Sequence, residues 1–207
     1  MSKGFFIVFE GPEGAGKTTQ ITMLEQNLIS HNINPILTRE PGGTKAADRI
    51  REVILDPNLE INPLSEFLLY SASRAQHVGE VIKPALERCE TVISDRFFGA
   101  SVAYQGYGRG LDLDFIVDLS KKVTQGIEPD LVILLDIDPE IGLHRIAKRG
   151  QKDRLELADI SFHKKVRSGF LAQAKSHNYW EVLSAEQSQT DLANDIWALV
   201  KDRMEIK

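Results

Sequence analysis

The sequence predicts an α/β fold: a doubly wound parallel five-stranded sheet with helices on both faces. Three observations lead there. Five short apolar runs recur along 207 residues, helical patterns lie between them, and a glycine-rich loop follows the first run directly. Continuous rather than alternating hydrophobicity suits strands covered on both faces, as in a parallel sheet. Strand–helix alternation then requires crossovers that put helices on each side.

The first run, residues 5–9, feeds the loop G-P-E-G-A-G-K-T at residues 11–18. This is G-x-x-x-x-G-K-[ST] between a strand and a helix, the context that gives the match its meaning. Gly11, Gly14 and Gly16 allow backbone shapes in which successive N–H groups converge on one anion, with Pro12, Glu13 and Ala15 between them. Lys17 is placed to reach β- and γ-phosphates, and the Thr18 hydroxyl to join the shell of a Mg²⁺ ion. Thr19 continues into a helix whose positive end faces the same anion. A nucleoside-triphosphate site is expected here.

The other runs are residues 35–38, 91–94, 131–135 and 179–183. Asn62-Pro63, Asp138-Pro139 and Thr190-Asp191 offer N-caps, the first two with proline at the first helical position. Leu64, Phe67, Leu68 and Ser71 follow helical spacing, as do Ile141, His144, Arg145 and Lys148. Residues 161–177 and 190–204 read as amphipathic helices around the last strand. Ligands in this architecture collect at the carboxyl ends of strands. Arg39 after the second strand, and Asp95 and Arg96 after the third, are therefore candidate site residues. Two arginines beside a phosphate loop can each offer a fork of donors to a second phosphate. Asp95 can hold Mg²⁺ directly or through water.

Composition narrows the options. With 42% hydrophobic residues and no linker or repeat, residues 1–207 are expected to form one domain. A formal net charge of −5 argues against a general nucleic-acid binder. Cys89 is the only cysteine, so no intramolecular disulfide can form; it is expected as a small core residue of a helix. The five histidines show no metal-ligand spacing. No stretch nears the roughly 20 apolar residues needed to span a bilayer, and a cytoplasmic location is expected.

The motifs together resemble those of the bacterial thymidylate kinase family. The chain carries the phosphate loop, T-R-E-P-G-G-T at residues 38–44 and L-Y-S-A-S-R at residues 69–74. It continues with D-R-F from Asp95, A-Y-Q-G at residues 103–106, L-L-D-I-D-P-E at residues 134–140 and R-G-x-x-D-R-L-E at residues 149–156. The resemblance implies transfer of the γ-phosphoryl of ATP to dTMP, with Mg²⁺, in a P-loop kinase that commonly forms homodimers. It implies that Arg39 and Arg96 grip the dTMP phosphate, that Arg74 bonds a thymine carbonyl and that Tyr70 stacks on the base. Ser101 and Gln105 would read the base edge, Tyr104 would crowd the 2′ carbon, and Glu13 would face the 3′-hydroxyl.

Residues 145–156 are expected to form a short lid. Arg145, Lys148, Arg149, Lys152 and Arg154 cluster there, with Gly150 as a hinge. Some relatives carry an arginine in the phosphate loop where this chain has Gly14. The lid should then supply that charge, through Arg149 or Arg154. Residues 184–187, after the last strand, are placed to border the adenine. A deoxynucleoside kinase is the rival within enzymes, though Arg39 would then lack a phosphate. A small GTPase is the rival of another class, and its N-K-x-D and D-x-x-G elements are absent.

Overall fold

The computed structural model describes residues 4–147 and 153–206. Its central strand, β1 (Phe6–Glu10), pairs in parallel with β3 (Val92–Asp95) on one side and β4 (Leu131–Asp136) on the other. Outside these lie β2 (Ile36–Arg39) and β5 (Trp180–Ser184), giving the parallel order β2-β3-β1-β4-β5. The five apolar runs are these five strands.

The pleat explains why the central runs are continuously apolar. Phe6, Val8, Val92, Val132 and Leu134 point into one core cluster, and Ile7, Phe9, Ile93, Leu131, Ile133 and Leu135 into the other. Successive side chains take opposite faces, and helices cover both. One face packs on α1 (Lys17–Ser30) and α9 (Gln189–Arg203) through Leu24, Leu28, Ile196 and Val200. The other face holds Tyr70 of α3 (Pro63–His77) and Phe162, Val166 and Phe170 of α8 (Ile160–Ser176). Burial on both faces fails at the two edges. β2 and β5 alternate in burial, with Leu37 and Val182 exposed, because an edge strand lacks cover beyond itself.

Helix starts follow side-chain chemistry. Asn62 accepts the Leu64 N–H ahead of Pro63, and Thr44 accepts the Ala47 N–H to open α2 (Lys45–Leu55). α7 (Pro139–Ala147) begins after Asp138, whose Oδ1 accepts the Glu140 N–H. The expected cap at Thr190 is corrected to Ser188, which accepts the Asp191 N–H and starts α9 two residues earlier. After α3 the chain passes through a π-helical segment, Val78–Ile82, into α4 (Lys83–Glu87). Cys89 follows α4, exposed and with φ +62°, and so is neither helical nor a core residue. α5 (Phe98–Ser101) runs into a second π-helical segment, Val102–Gly108, which carries Tyr104 and Gln105; α6 (Leu113–Val123) follows. Among the described residues, no helix is long and apolar enough to cross a membrane.

Candidate active site

The carboxyl ends of β1, β2 and β3 open into a cavity of ≈ 250 Å³, and the phosphate loop forms one wall. Gly11, Gly14 and Gly16 all have positive φ. At Gly14 more than dihedral freedom is needed, since a Cβ there would strike the Gly142 carbonyl of α7, and one on Gly142 would strike the Glu13 carbonyl. The loop and α7 therefore meet backbone to backbone, and an arginine at position 14 has no room. α1 begins directly after Gly16 with no side-chain cap, so its first N–H groups remain for an anion. Lys17 Nζ donates to the Gly11 and Pro12 carbonyls at 3.2 and 3.3 Å. Burial, then Arg96, lowers its ammonium to about pKa 8, a cation held ready inside an anion site.

A second recess lies on the other side of the loop. Ala15, Thr19, Arg145, Ala185 and Gln187 line it, so two of the residues after β5 border this recess. Arg145 Nη1 donates to the Ala185 carbonyl at 3.0 Å, fixing the guanidinium at its rim.

Arg96 sits at the centre of the first cavity. Its φ of +74° is uncommon for a residue with a Cβ and costs on the order of 1 kcal/mol. Its N–H donates to the Phe9 carbonyl at 2.9 Å, and its carbonyl accepts the Ser94 hydroxyl at 2.7 Å. The guanidinium donates to the Gly11 carbonyl (3.0 Å), Glu13 Oε1 (3.2 Å) and the Tyr104 hydroxyl (2.9 Å) and lies 4.9 Å from the Tyr104 ring centre. Tyr104 also donates its hydroxyl to Glu13 Oε1. Arg39 is more exposed and pairs with Asp48 at 3.1 Å. Thr18 and Asp95 line the same cavity.

Two neighbouring carboxylates titrate in opposite directions. Burial raises Glu10 from 4.5 to about 7, against the pull of Arg96 and the Phe97 N–H. Glu13 also pays a burial penalty, but His163, Arg96 and Tyr104 lower it from 4.5 to about 2. Between pH 4.5 and 7 the folded state binds the extra Glu10 proton, so stability falls as pH rises through that window. Glu13 does the reverse, losing stability as pH falls from 4.5 towards 2. In Glu10→Gln the amide oxygen still accepts the Phe97 and Ala100 N–H groups, both 3.0 Å from Glu10 Oε1. This variant is expected to lose the decline between pH 5 and 7, worth at most about 3 kcal/mol. Thermal melts at pH 5, 6, 7 and 8 check it, and an unchanged slope would assign the decline to another group.

The far end of the cavity is lined by Tyr70, Ser101 and Gln105. Arg74 is not on that surface. It lies fully buried behind Ser101, with Nε on Glu40 Oε2 (2.6 Å), Nη1 on Ser101 Oγ (3.1 Å) and Nη2 on the Phe97 carbonyl (3.0 Å). Each Nη also carries a second N–H beyond these bonds.

The family model described as thymidylate kinase matches residues 9–196. The chain belongs to the thymidylate kinase family. A thymidylate kinase of Deinococcus radiodurans is 55% identical over 205 residues, covering 98% of this chain and 99% of the relative. One from Carboxydothermus hydrogenoformans is 49% identical over 177 residues, covering 86% and 87% of the two chains. The solved structure of a thymidylate kinase from Ehrlichia chaffeensis superposes with a TM-score of 0.77 at 32% identity, covering 96% of this chain and 99% of that one.

Of the residues expected to serve the reaction, Glu13, Lys17, Thr18, Arg39, Tyr70, Asp95, Arg96, Ser101, Tyr104 and Gln105 meet at one cavity. Arg154 does not. It turns to Glu66, Nη1 to Oε2 at 2.6 Å, and its Nε donates to the Ile54 carbonyl at 3.0 Å. The expectation that Arg154 faces the transferring phosphoryl is corrected for this conformation: a buried carboxylate holds it on the far side of its own segment. Lys148, Arg149, Gly150 and Lys152 lie outside the described residues. Residues 153, 155 and 156 do reach the cavity.

Thymidylate kinase motifs alone missed several supporting groups. Glu40 binds Arg74 and His77, and His77 in turn meets Thr38 at 2.6 Å. His163 lies 3.5 Å from Glu13. Arg167 of α8 forms a two-bond pair with Asp136 at the end of β4. Thr38, Glu40 and Asp136 stood inside readable motifs, T-R-E-P-G-G-T and L-L-D-I-D-P-E, whereas His77, His163 and Arg167 did not.

Proposed function

We propose that the residues around the two recesses divide between them the transfer of the γ-phosphoryl group of ATP to dTMP, giving dTDP and ADP. One observation carries this reading: the phosphate loop with Lys17 and the strand-end arginines Arg39 and Arg96 share a single cavity. One set suits a donor triphosphate and the other an acceptor phosphate.

The loop N–H groups and Lys17 hold the β- and γ-phosphates, and the recess between Arg145 and Gln187 takes the adenine. Arg96 and Arg39 fix the dTMP phosphate beside them. Arg96 brings a guanidinium already oriented by Gly11, Glu13 and Tyr104, so little ordering is left for binding. A phosphate monoester is largely ionised at pH 7, so its oxygen attacks without a general base. Tyr70, Ser101 and Gln105 face the base, with Arg74 behind them holding the Ser101 hydroxyl; Tyr104 and Glu13 face the sugar. With Arg154 on Glu66, Arg149 is the lid arginine assigned to charge on the transferring group.

Thr18 and Asp95 supply two hard oxygen donors, which fits Mg²⁺ completed by phosphate oxygens and water. Among the described residues no three His, Cys, Asp or Glu side chains gather as a metal cage, consistent with an ion that arrives with its nucleotide. When bound, Mg²⁺ neutralises phosphate charge.

The reading treats residues 1–207 as one cytoplasmic kinase domain that works as a homodimer. Leu64 and Leu68 on α3, with Phe115 of α6 packed on Phe67, form an exposed apolar face suited to a second copy. Incubation with ATP, dTMP and Mg²⁺ is expected to give dTDP and ADP one to one, and chelation of Mg²⁺ to stop it. ADP release without dTDP would overturn the reading.

A further inference from the structure

Glu66 is a fully buried carboxylate that the transfer mechanism leaves unused. It lies on α3 four residues before Tyr70, hence on the helix face turned to the cavity. Its Oε1 accepts Gln105 Nε2 at 2.8 Å and Arg109 Nε at 3.4 Å. Its Oε2 accepts Arg109 Nη2 at 3.2 Å and Arg154 Nη1 at 2.6 Å.

A carboxylate paired with two guanidinium groups is acceptor-only. Gln105 must therefore turn its NH₂ to Glu66, and its carbonyl oxygen points the other way. Gln105 itself lines the cavity beside Ser101. An acceptor oxygen there complements the N3–H of thymine and opposes the N3 lone pair of cytosine. Without Glu66 the side-chain amide could turn over and offer N–H instead.

We propose that Glu66, which touches no substrate, sets the hydrogen-bonding polarity of Gln105 and thereby makes the site select thymine over cytosine monophosphates. The proposal rests on Gln105 reading the base. Glu66 is a positioning residue: buried carboxylate fixes amide, and amide fixes base choice. Discrimination of this kind is strong because the wrong base leaves a buried polar group unpaired.

The test is steady-state kinetics of wild type, Glu66→Gln, Gln105→Asn and Gln105→Leu with dTMP and dCMP at saturating Mg-ATP. Glu66→Gln is expected to raise KM for dTMP about tenfold, leave KM for ATP unchanged, and raise the dCMP-to-dTMP ratio of kcat/KM at least about tenfold. Gln105→Asn draws the amide away from Glu66 without disturbing the arginine pairs. It should shift the ratio in the same direction, and it decides the matter alone if Glu66→Gln does not fold. Gln105→Leu can offer neither polarity, so it should weaken dTMP without admitting dCMP. If the first two variants keep the wild-type ratio while Gln105→Leu loses dTMP, Glu66 has no part in base choice. If Gln105→Leu also binds dTMP normally, Gln105 does not read the base, and the parent reading fails there as well.

Discussion

Lys17→Ala lowers kcat/KM by at least about 10²-fold while the melting temperature stays near that of wild type. The magnitude follows from removing one preorganised donor aimed at charge that develops in the transition state. Lys17 Nζ is held by two loop carbonyls, so its position precedes the nucleotide. Its ammonium, lowered to about pKa 8, adds a second signature. The working form is protonated, so kcat/KM for ATP, which reports the free enzyme, should fall as pH rises through about 8. The fold should survive, because losing a partly buried cation relieves desolvation while the loop keeps its glycine geometry. Initial rates with circular dichroism check both halves. A folded variant with more than about a tenth of wild-type kcat/KM would remove Lys17 from the mechanism.

Arg96→Ala should be costlier still, about 10³-fold in kcat/KM for dTMP, and should also lower the melting temperature by several degrees. Two effects combine. The acceptor phosphate loses its oriented fork. Glu13, whose carboxylate Arg96 supports at 3.2 Å, loses a compensating charge in a buried setting. Arg96→Lys separates them: it restores charge for Glu13 but cannot reproduce donors to Gly11, Glu13 and Tyr104 together. Its stability should recover further than its activity. Equal recovery of both would make Arg96 a structural residue only.

The strands and the residues just after them were legible because a strand buried on both faces has a continuous apolar run and its end is marked by charge. β1, β3 and β4 follow that rule. β2 (I-L-T-R) and β5 (W-E-V-L-S) mix polar with apolar residues, but a run of four or five residues is too short to tell whether a neighbour lies beyond it. The α9 cap was misplaced because Ser188 and Thr190 are both cap-forming types, and only geometry chooses. The site residues inside motifs converge as spacing implied, but their supports come from distant chain. Glu40 meets Arg74 across 34 positions and Glu66 meets Gln105 across 39, separations at which no periodicity links partners. The same distance hides the Arg154 partner: a basic run suggests that Arg149 or Arg154 lies near phosphate, whereas in this structure the buried Glu66 holds the Arg154 side chain. Glu10 ends the first apolar run, where its burial under α5 leaves no local trace.

Comparing dTMP with thymidine as acceptor, by initial rate at saturating Mg-ATP, tests the central claim most directly. Arg39 and Arg96 are assigned to a phosphate that thymidine lacks, while the base and sugar contacts are common to both. The expected result is turnover of dTMP to dTDP with kcat/KM at least about 10³-fold above any phosphorylation of thymidine, a difference of about 4 kcal/mol. Comparable use of thymidine would show that the two arginines do not hold an acceptor phosphate, and would contradict the account.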